Sequence, residues 1–236
     1  MKKPQVRLED YASWVKAMNI PLTARRAGLL RRYLDELWEW NLKFNLVGVS
    51  SYRRVLEELL LDSLVPAPFL SPRGDILDVG SGAGFPAIPL AVCRPDLHMN
   101  LVEPSARKAA FLRHCARTLG LDTVRVQEAR IEDLTPAPAH GGYHVVTARA
   151  VAPLEKIIGW CAPHLHPDGR MFCFQGDRPD RVITRSRQAM TDAGLRIRER
   201  VAYHLPGDRP LRHLLILSRV PAPPLLKQGL GDAVRP

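Results

Sequence analysis

The run Asp75-Ile76-Leu77-Asp78-Val79-Gly80-Ser81-Gly82-Ala83-Gly84-Phe85-Pro86 leaves this chain few ways to fold. Ile76, Leu77 and Val79 give a short apolar strand. Gly80, Gly82 and Gly84 remove Cβ atoms where the backbone must turn sharply and where a ligand can approach. Phe85 to Val92 then starts a helix, with Pro86 tolerated in its first turn. A strand, a glycine turn and a helix in this order place a ligand over the carboxyl end of the strand in an open α/β sheet.

The dinucleotide fingerprint G-x-G-x-x-G requires a third glycine where this chain has Phe85, and Asp78 stands just before the first glycine. Both features favour S-adenosyl-L-methionine (AdoMet) over a dinucleotide. AdoMet has no pyrophosphate for a helix N-terminus to cradle, and its amino acid and sulfonium suit a nearby carboxylate. Glu103 ends the next expected strand, 25 residues after Asp78, where a carboxylate can accept hydrogen bonds from both ribose hydroxyls. A plain βα turn with a surface glutamate is the bland alternative.

The remaining pattern fits one α/β core. Strands are expected at 99–102, 123–126, 143–148 and 171–174, with two closing strands, antiparallel, at 196–204 and 211–218. Helices are expected at 105–119, capped by Gly120, within 150–164, and at 178–193. Alternation of this kind implies a mainly parallel sheet covered on both faces. Three amphipathic helices precede it: 7–18, a second capped by Thr23, and 51–64. The expected division is a helical extension over 1–70, packed on a core at 71–220, and a flexible Pro- and Gly-rich tail at 221–236.

A formal net charge of +10 favours an anionic partner, with nucleic acid ahead of acidic lipid. The sequence has neither an apolar run near ~20 residues nor a secretory leader, so a cytoplasmic protein off the membrane is expected. Cys93, Cys115, Cys161 and Cys173 form no C-x-x-C pair and have no histidines at zinc spacing. Reduced, buried thiols and no metal site are expected. The eight histidines are scattered and read as exposed or capping residues.

Two loops carry candidate chemistry. In Ala129-Arg130-Ile131-Glu132-Asp133, Ile131 can pack on an adenine ring while Glu132 reads its polar edge; an ordinary acid-capped loop is the alternative. After the fourth strand, Thr147-Ala148-Arg149-Ala150 stands where amino-directed base methyltransferases carry an Asn/Asp-Pro-Pro-aromatic loop, which is absent here. Arg149 can hold the AdoMet carboxylate, a phosphate or the O6/N7 edge of guanine, or simply cap a helix. No Pro-Cys pair or nucleophile elbow occurs.

Several segments together resemble the bacterial small-subunit (16S) rRNA guanine-N7 methyltransferase family, RsmG or GidB. They are Trp40-Asn41-Leu42-Lys43-Phe44-Asn45-Leu46, Leu61-Asp62-Ser63, Asp78 through Leu90, Arg107-Lys108-Ala109-Ala110-Phe111-Leu112, Ala129-Arg130-Ile131-Glu132 and Ala148-Arg149-Ala150. The resemblance implies a class I AdoMet-dependent methyltransferase fold, Rossmann-like with a seven-stranded sheet. It implies methylation of a guanine N7 in the decoding region of 16S rRNA, with the rRNA or the small subunit as partner; a monomer is expected, though the resemblance does not give it. It places Gly80, Phe85, Ile131, Glu132 and Arg149 at AdoMet, beside Gly82 and Glu103, which the glycine loop and the spaced acid already assign there. Arg149 and Arg130 are expected to orient the base, and Arg107 and Lys108 to contact RNA. The chain departs from the family pattern at Leu59, at the swapped Arg107-Lys108 pair and at Gln175-Gly176. Rival functions are an AdoMet methyltransferase with another substrate and an rRNA-binding assembly factor without turnover.

Overall fold

The structure is a computed structural model that describes residues 6–49, 51–71, 74–136, 141–207 and 209–220. The expected tail at 221–236 lies outside the described residues. The strands are β1 (Asp75–Val79), β2 (His98–Val102), β3 (Val124–Gln127), β4 (Tyr143–Ala148), β5 (Leu165–Gln175), β6 (Leu195–Tyr203) and β7 (Arg212–Arg219). They form one sheet in the order β3-β2-β1-β4-β5-β7-β6. Strands β1 to β5 run parallel, and β7 enters antiparallel between β5 and β6. The connection reverses direction at β1, whose neighbours are β2 and β4, and this switch point opens the crevice where ligands bind.

Central strands are buried on both faces, so Ile76, Leu77 and Val79 need no polar alternation. The edge strand β6 instead turns Arg196, Arg198 and Arg200 to solvent and carries a register shift between Ile197 and Glu199. Both devices discourage a further strand from adding there.

The helices are α1 (Ala12–Ala17), α2 (Ala24–Phe44), α3 (Tyr52–Arg54), α4 (Asp62–Leu64), α5 (Ala87–Cys93), α6 (Ala106–Leu119), α7 (Leu154–Cys161) and α8 (Pro179–Asp192). The Thr23 hydroxyl accepts from Arg26 N at 3.3 Å and caps α2, and Gly120, with φ 65°, closes α6. Residues Val55–Leu61 join α3 to α4 with π geometry, so 52–64 is one continuous helix. One apolar core holds α2, the helix over 52–64, α5 and α6; the core on the opposite face holds α7 and α8. Apolar residues from Leu8 to Leu70 belong to the first of these cores.

One element matters for the site. The helix expected within 150–164 runs from Leu154 to Cys161, and residues 149–153 are a loop. Ala150 takes a left-handed conformation, φ 53°, which no α-helix accommodates. Two histidines depart from expectation: His164 and His213 are buried. The His213 ring lies 3.0 Å from Gly176 O, and burial lowers the His164 pKa.

Candidate functional site

The glycine loop is held from three sides. Gly80 N and Ser81 N donate to Val102 O at 2.8 and 3.1 Å, which ties the loop to the end of β2. Tyr33 of α2, fully buried, donates its hydroxyl to Ala83 O at 2.6 Å and meets the Phe85 ring edge-on at 5.4 Å. On the third side, a Cβ on Gly80 would come within 2.6 Å of Val151, so the 149–153 loop packs directly on this glycine. A Cβ on Gly84 would strike Ile88 at 2.6 Å. Gly82 is different. Its φ is 58°, and a Cβ there would meet nothing nearer than Gly80 O at 3.8 Å. Gly80 and Gly84 are therefore glycines for packing, and Gly82 is the glycine that leaves an approach open.

Two carboxylates face this loop. Asp78 is 1% exposed; its Oδ1 accepts from Thr147 Oγ1 at 2.6 Å, and its Oδ2 has no hydrogen-bond partner. Burial pushes the Asp78 pKa up to about 6, against the Thr147 hydroxyl, which favours the ionised form; the Ser81 hydroxyl donates to the Asp78 main-chain carbonyl at 3.0 Å. A buried carboxylate oxygen without a donor is costly, and a cationic ligand relieves it. Glu103, 5% exposed, accepts from Gly82 N at 2.8 Å through Oε2 and from Ser105 N at 2.9 Å through Oε1. Each oxygen keeps lone-pair capacity for a further donor.

These groups fit AdoMet. Asp78 Oδ2 offers an acceptor to the ammonium group, the backbone beside Gly82 is open, and Glu103 can accept from ribose hydroxyls. Ile131, in a 3-10 turn after β3, is 5% exposed and packs with the second core, whereas Glu132 beside it is exposed. Arg130, at the start of that turn, is also exposed.

Arg149 receives partners that sequence reasoning did not supply. Its guanidinium donates to Glu58 O at 2.7 Å, Leu59 O at 3.2 Å and Ser63 Oγ at 3.4 Å. It lies 3.1 Å from Asp62 Oδ2, with the Arg149 side chain 12% and the Asp62 side chain 1% exposed. Asp62 Oδ1 accepts from Tyr203 Oη at 2.7 Å, and Arg212 approaches Oδ2 at 3.4 Å. The π-helical stretch supplies the Glu58 and Leu59 carbonyls. Arg149 thus fastens the 149–153 loop to the N-terminal helices and is neither a surface cap nor a free hand toward substrate. Asp62 stands in a quoted motif; nothing in the sequence pointed to Tyr203, 141 residues away.

Arg107 and Lys108 occupy the first turn of α6, directly after Glu103 and Ser105. Arg107 is exposed, with its guanidinium 5.7 Å from the centre of the Phe44 ring and Nη1 3.4 Å from Phe44 O. All four cysteines are buried, and burial raises their thiol pKa values. Among the described residues no group of His, Cys, Asp and Glu is arranged to hold a metal, and no helix is long and apolar enough to cross a membrane.

Among solved structures, the chain superposes on TYW2 of M. jannaschii in complex with AdoMet with a TM-score of 0.57, at 15% identity, over 73% of this chain and 80% of that one. It superposes on the S-adenosylmethionine-dependent methyltransferase SibL with a TM-score of 0.54, at 19% identity, over 71% and 56%. At these identities the likeness is one of fold, the AdoMet-dependent methyltransferase fold. Sequence relatives reach further. The ribosomal RNA small subunit methyltransferase G of Chloroflexus aggregans is 37% identical over 93% of this chain and 93% of its own length. That of Neisseria gonorrhoeae is 36% identical over 90% of this chain and 99% of its own. The family model for rRNA small subunit methyltransferase G, GidB, matches residues 26–210. By the model match and by both relatives, the chain belongs to the rRNA small subunit methyltransferase G family.

Proposed function

We propose that this enzyme transfers the methyl group of AdoMet to N7 of a guanine in the decoding region of 16S rRNA, acting as a monomer. Family membership carries the reaction and the small-subunit rRNA substrate. The observations that support it on this chain's own atoms are the buried Asp78 Oδ2 without a hydrogen-bond partner at the end of β1 and the open Gly82 in the loop that follows.

Asp78, Gly82 and Glu103 are assigned to hold AdoMet, with Gly80 and Phe85 shaping the loop and Ile131 and Glu132 beside the adenine. Bound there, AdoMet supplies an electrophilic methyl group, and transfer to N7 breaks its bond to sulfur and leaves the positive charge on the purine. N7 has an in-plane lone pair and no proton to lose, so the protein needs no general base. Its task is to hold the acceptor in line, which can be worth about 7–11 kcal/mol. The 149–153 loop, fixed at Arg149 and seated on Gly80, forms the wall against which a base is held. Arg149 is therefore a positioning residue, and Arg130, Arg107 and Lys108 are left to contact RNA.

The test is transfer of labelled methyl from AdoMet to small-subunit rRNA, followed by nucleoside analysis. Label in 7-methylguanosine supports the assignment. Label in another nucleoside, or none, overturns it.

A further inference from the structure

A pocket of about 340 Å³ opens at the carboxyl ends of β4 and β5. Its walls include Ala150, Pro153, Glu155, Phe174, Gln175 and Arg185. The sheet order places it on the far side of β4 from β2 and β3, so it adjoins the glycine loop without overlapping the groups assigned to AdoMet. One residue joins the two sites: Val151, between the lining residues Ala150 and Ala152, lies against Gly80.

The lining has a definite chemistry. Phe174 stands at one wall, its ring packed with the first core and 5.8 Å from the Arg149 guanidinium, and Ala152, Pro153, Leu154 and Val182 supply apolar surface. Apolar walls of this kind can flank an unstacked base. Glu155, in the first turn of α7, accepts from Arg185 Nη2 at 2.8 Å and from Ser186 Oγ at 3.4 Å, both on α8. Gln175 brings an amide to the same pocket. A carboxylate beside an amide donor matches one base. Guanine alone presents two adjacent N–H donors, N1 and N2, next to the O6 acceptor on its Watson–Crick edge. Adenine and cytosine would set ring acceptors against the carboxylate, which disfavours them.

We propose that this pocket receives the target base unstacked from the RNA, with Glu155 accepting from N1–H and N2–H and Gln175 donating to O6. The proposal rests on guanine methylation as assigned above and names the residues that select guanine. It also sets the orientation. With the N1/N2 edge toward α8, N7 lies on the opposite edge of the purine, toward Val151 and the glycine loop. The Glu155 backbone N–H, then Arg185 and Ser186, hold the carboxylate in place and favour its ionised form.

The experiment uses the full chain and rRNA fragments ligated to carry guanosine or inosine at the mapped methylated nucleotide. Inosine lacks the 2-amino group and keeps O6. The parent enzyme is expected to lose roughly 10- to 100-fold in kcat/KM on inosine. Glu155→Gln is expected to lose a similar factor on guanosine while AdoMet affinity is unchanged, and inosine is expected to add no further penalty. Gln175→Ala is expected to weaken guanosine and inosine alike, since both retain O6. Parent-like activity of Glu155→Gln on guanosine, or an inosine penalty that persists undiminished in that variant, would overturn the proposal. A parent enzyme that methylates no guanine would overturn both the pocket and the reaction.

Discussion

Arg149→Ala separates a structural guanidinium from one that touches substrate. The substitution strips donors from Glu58 O, Leu59 O and Ser63 Oγ and removes the nearer cation from the buried Asp62. Breaking a buried ion pair by deleting one partner costs about 3–5 kcal/mol. Arg212 remains 3.4 Å from Asp62 Oδ2, so the lower end, about 3 kcal/mol, applies. For a chain of this size each kcal/mol lowers the melting temperature by about 2–4 °C, giving an expected drop of about 6–12 °C. Arg149→Lys is expected to recover little, because an ammonium cannot span several acceptors as a planar fork does. Adding Asp62→Asn to Arg149→Ala is expected to cost less than the sum of the two single changes by about 1–2 kcal/mol, since the stranded charge is gone. Differential scanning calorimetry compares the parent with all four variants, Asp62→Asn alone included. Methylation should fall in Arg149→Ala while AdoMet affinity holds, because the 149–153 loop loses its anchor and the groups at β1 and β2 do not. A melting temperature equal to the parent's, with methylation abolished, would refute the structural role and return Arg149 to the substrate.

Asp78 has a pKa raised from 3.8 to about 6, so the fold favours its protonated form. Its burial therefore costs nothing below pH 4 and up to about 3 kcal/mol above pH 6. Asp78→Asn should flatten that decline in stability in pH-dependent denaturation, and an unchanged decline would dismiss Asp78 as its source. A cationic ligand needs the ionised form, so AdoMet affinity measured by calorimetry should rise between pH 5 and 7.5, and a flat profile would detach Asp78 from the ligand. Gly82→Ala should cost about 1–2 kcal/mol for a left-handed alanine yet abolish AdoMet binding, whereas Gly84→Ala should compromise folding itself; parent-like AdoMet affinity in Gly82→Ala would refute the open approach. Arg107→Ala and Lys108→Ala should each reduce the slope of log affinity for rRNA against log salt by about 1, and unaltered slopes would remove these phosphate contacts.

The strands were legible because central parallel strands are short apolar runs, and β4 matches its expected bounds at both ends. Thr23 and Gly120 marked helix ends because capping is local chemistry. The helix expected within 150–164 lies there, at Leu154–Cys161, and Pro153 keeps Ala152 ahead of it out of helical geometry. What was not legible is Val151 seated on Gly80, a contact between residues far apart in sequence. The glycine loop was legible as a turn, but not that Gly80 and Gly84 are filled by packing while Gly82 stays open. That division depends on Val151, Ile88 and Tyr33, all set by tertiary structure.

The same limit governs the net charge of +10. Counted along the sequence, every arginine is a candidate for RNA. In the fold they divide. Arg94 donates to Leu70 O and Ser71 O, and Arg219 donates to Ala162 O and Leu165 O. Arg209 pairs with Glu57 and Glu58, and Arg149 spans the Glu58 and Leu59 carbonyls. These guanidiniums fasten loops and helix ends, a task for which a planar fork of donors is suited. Arg107, Arg117, Arg130, Arg181, Arg187, Arg196 and Arg198 are exposed. Only an exposed guanidinium can displace counterions from a phosphate without first breaking the fold. The electrostatic footprint on RNA is therefore smaller than the composition implies, and it is set by which arginines the backbone leaves free.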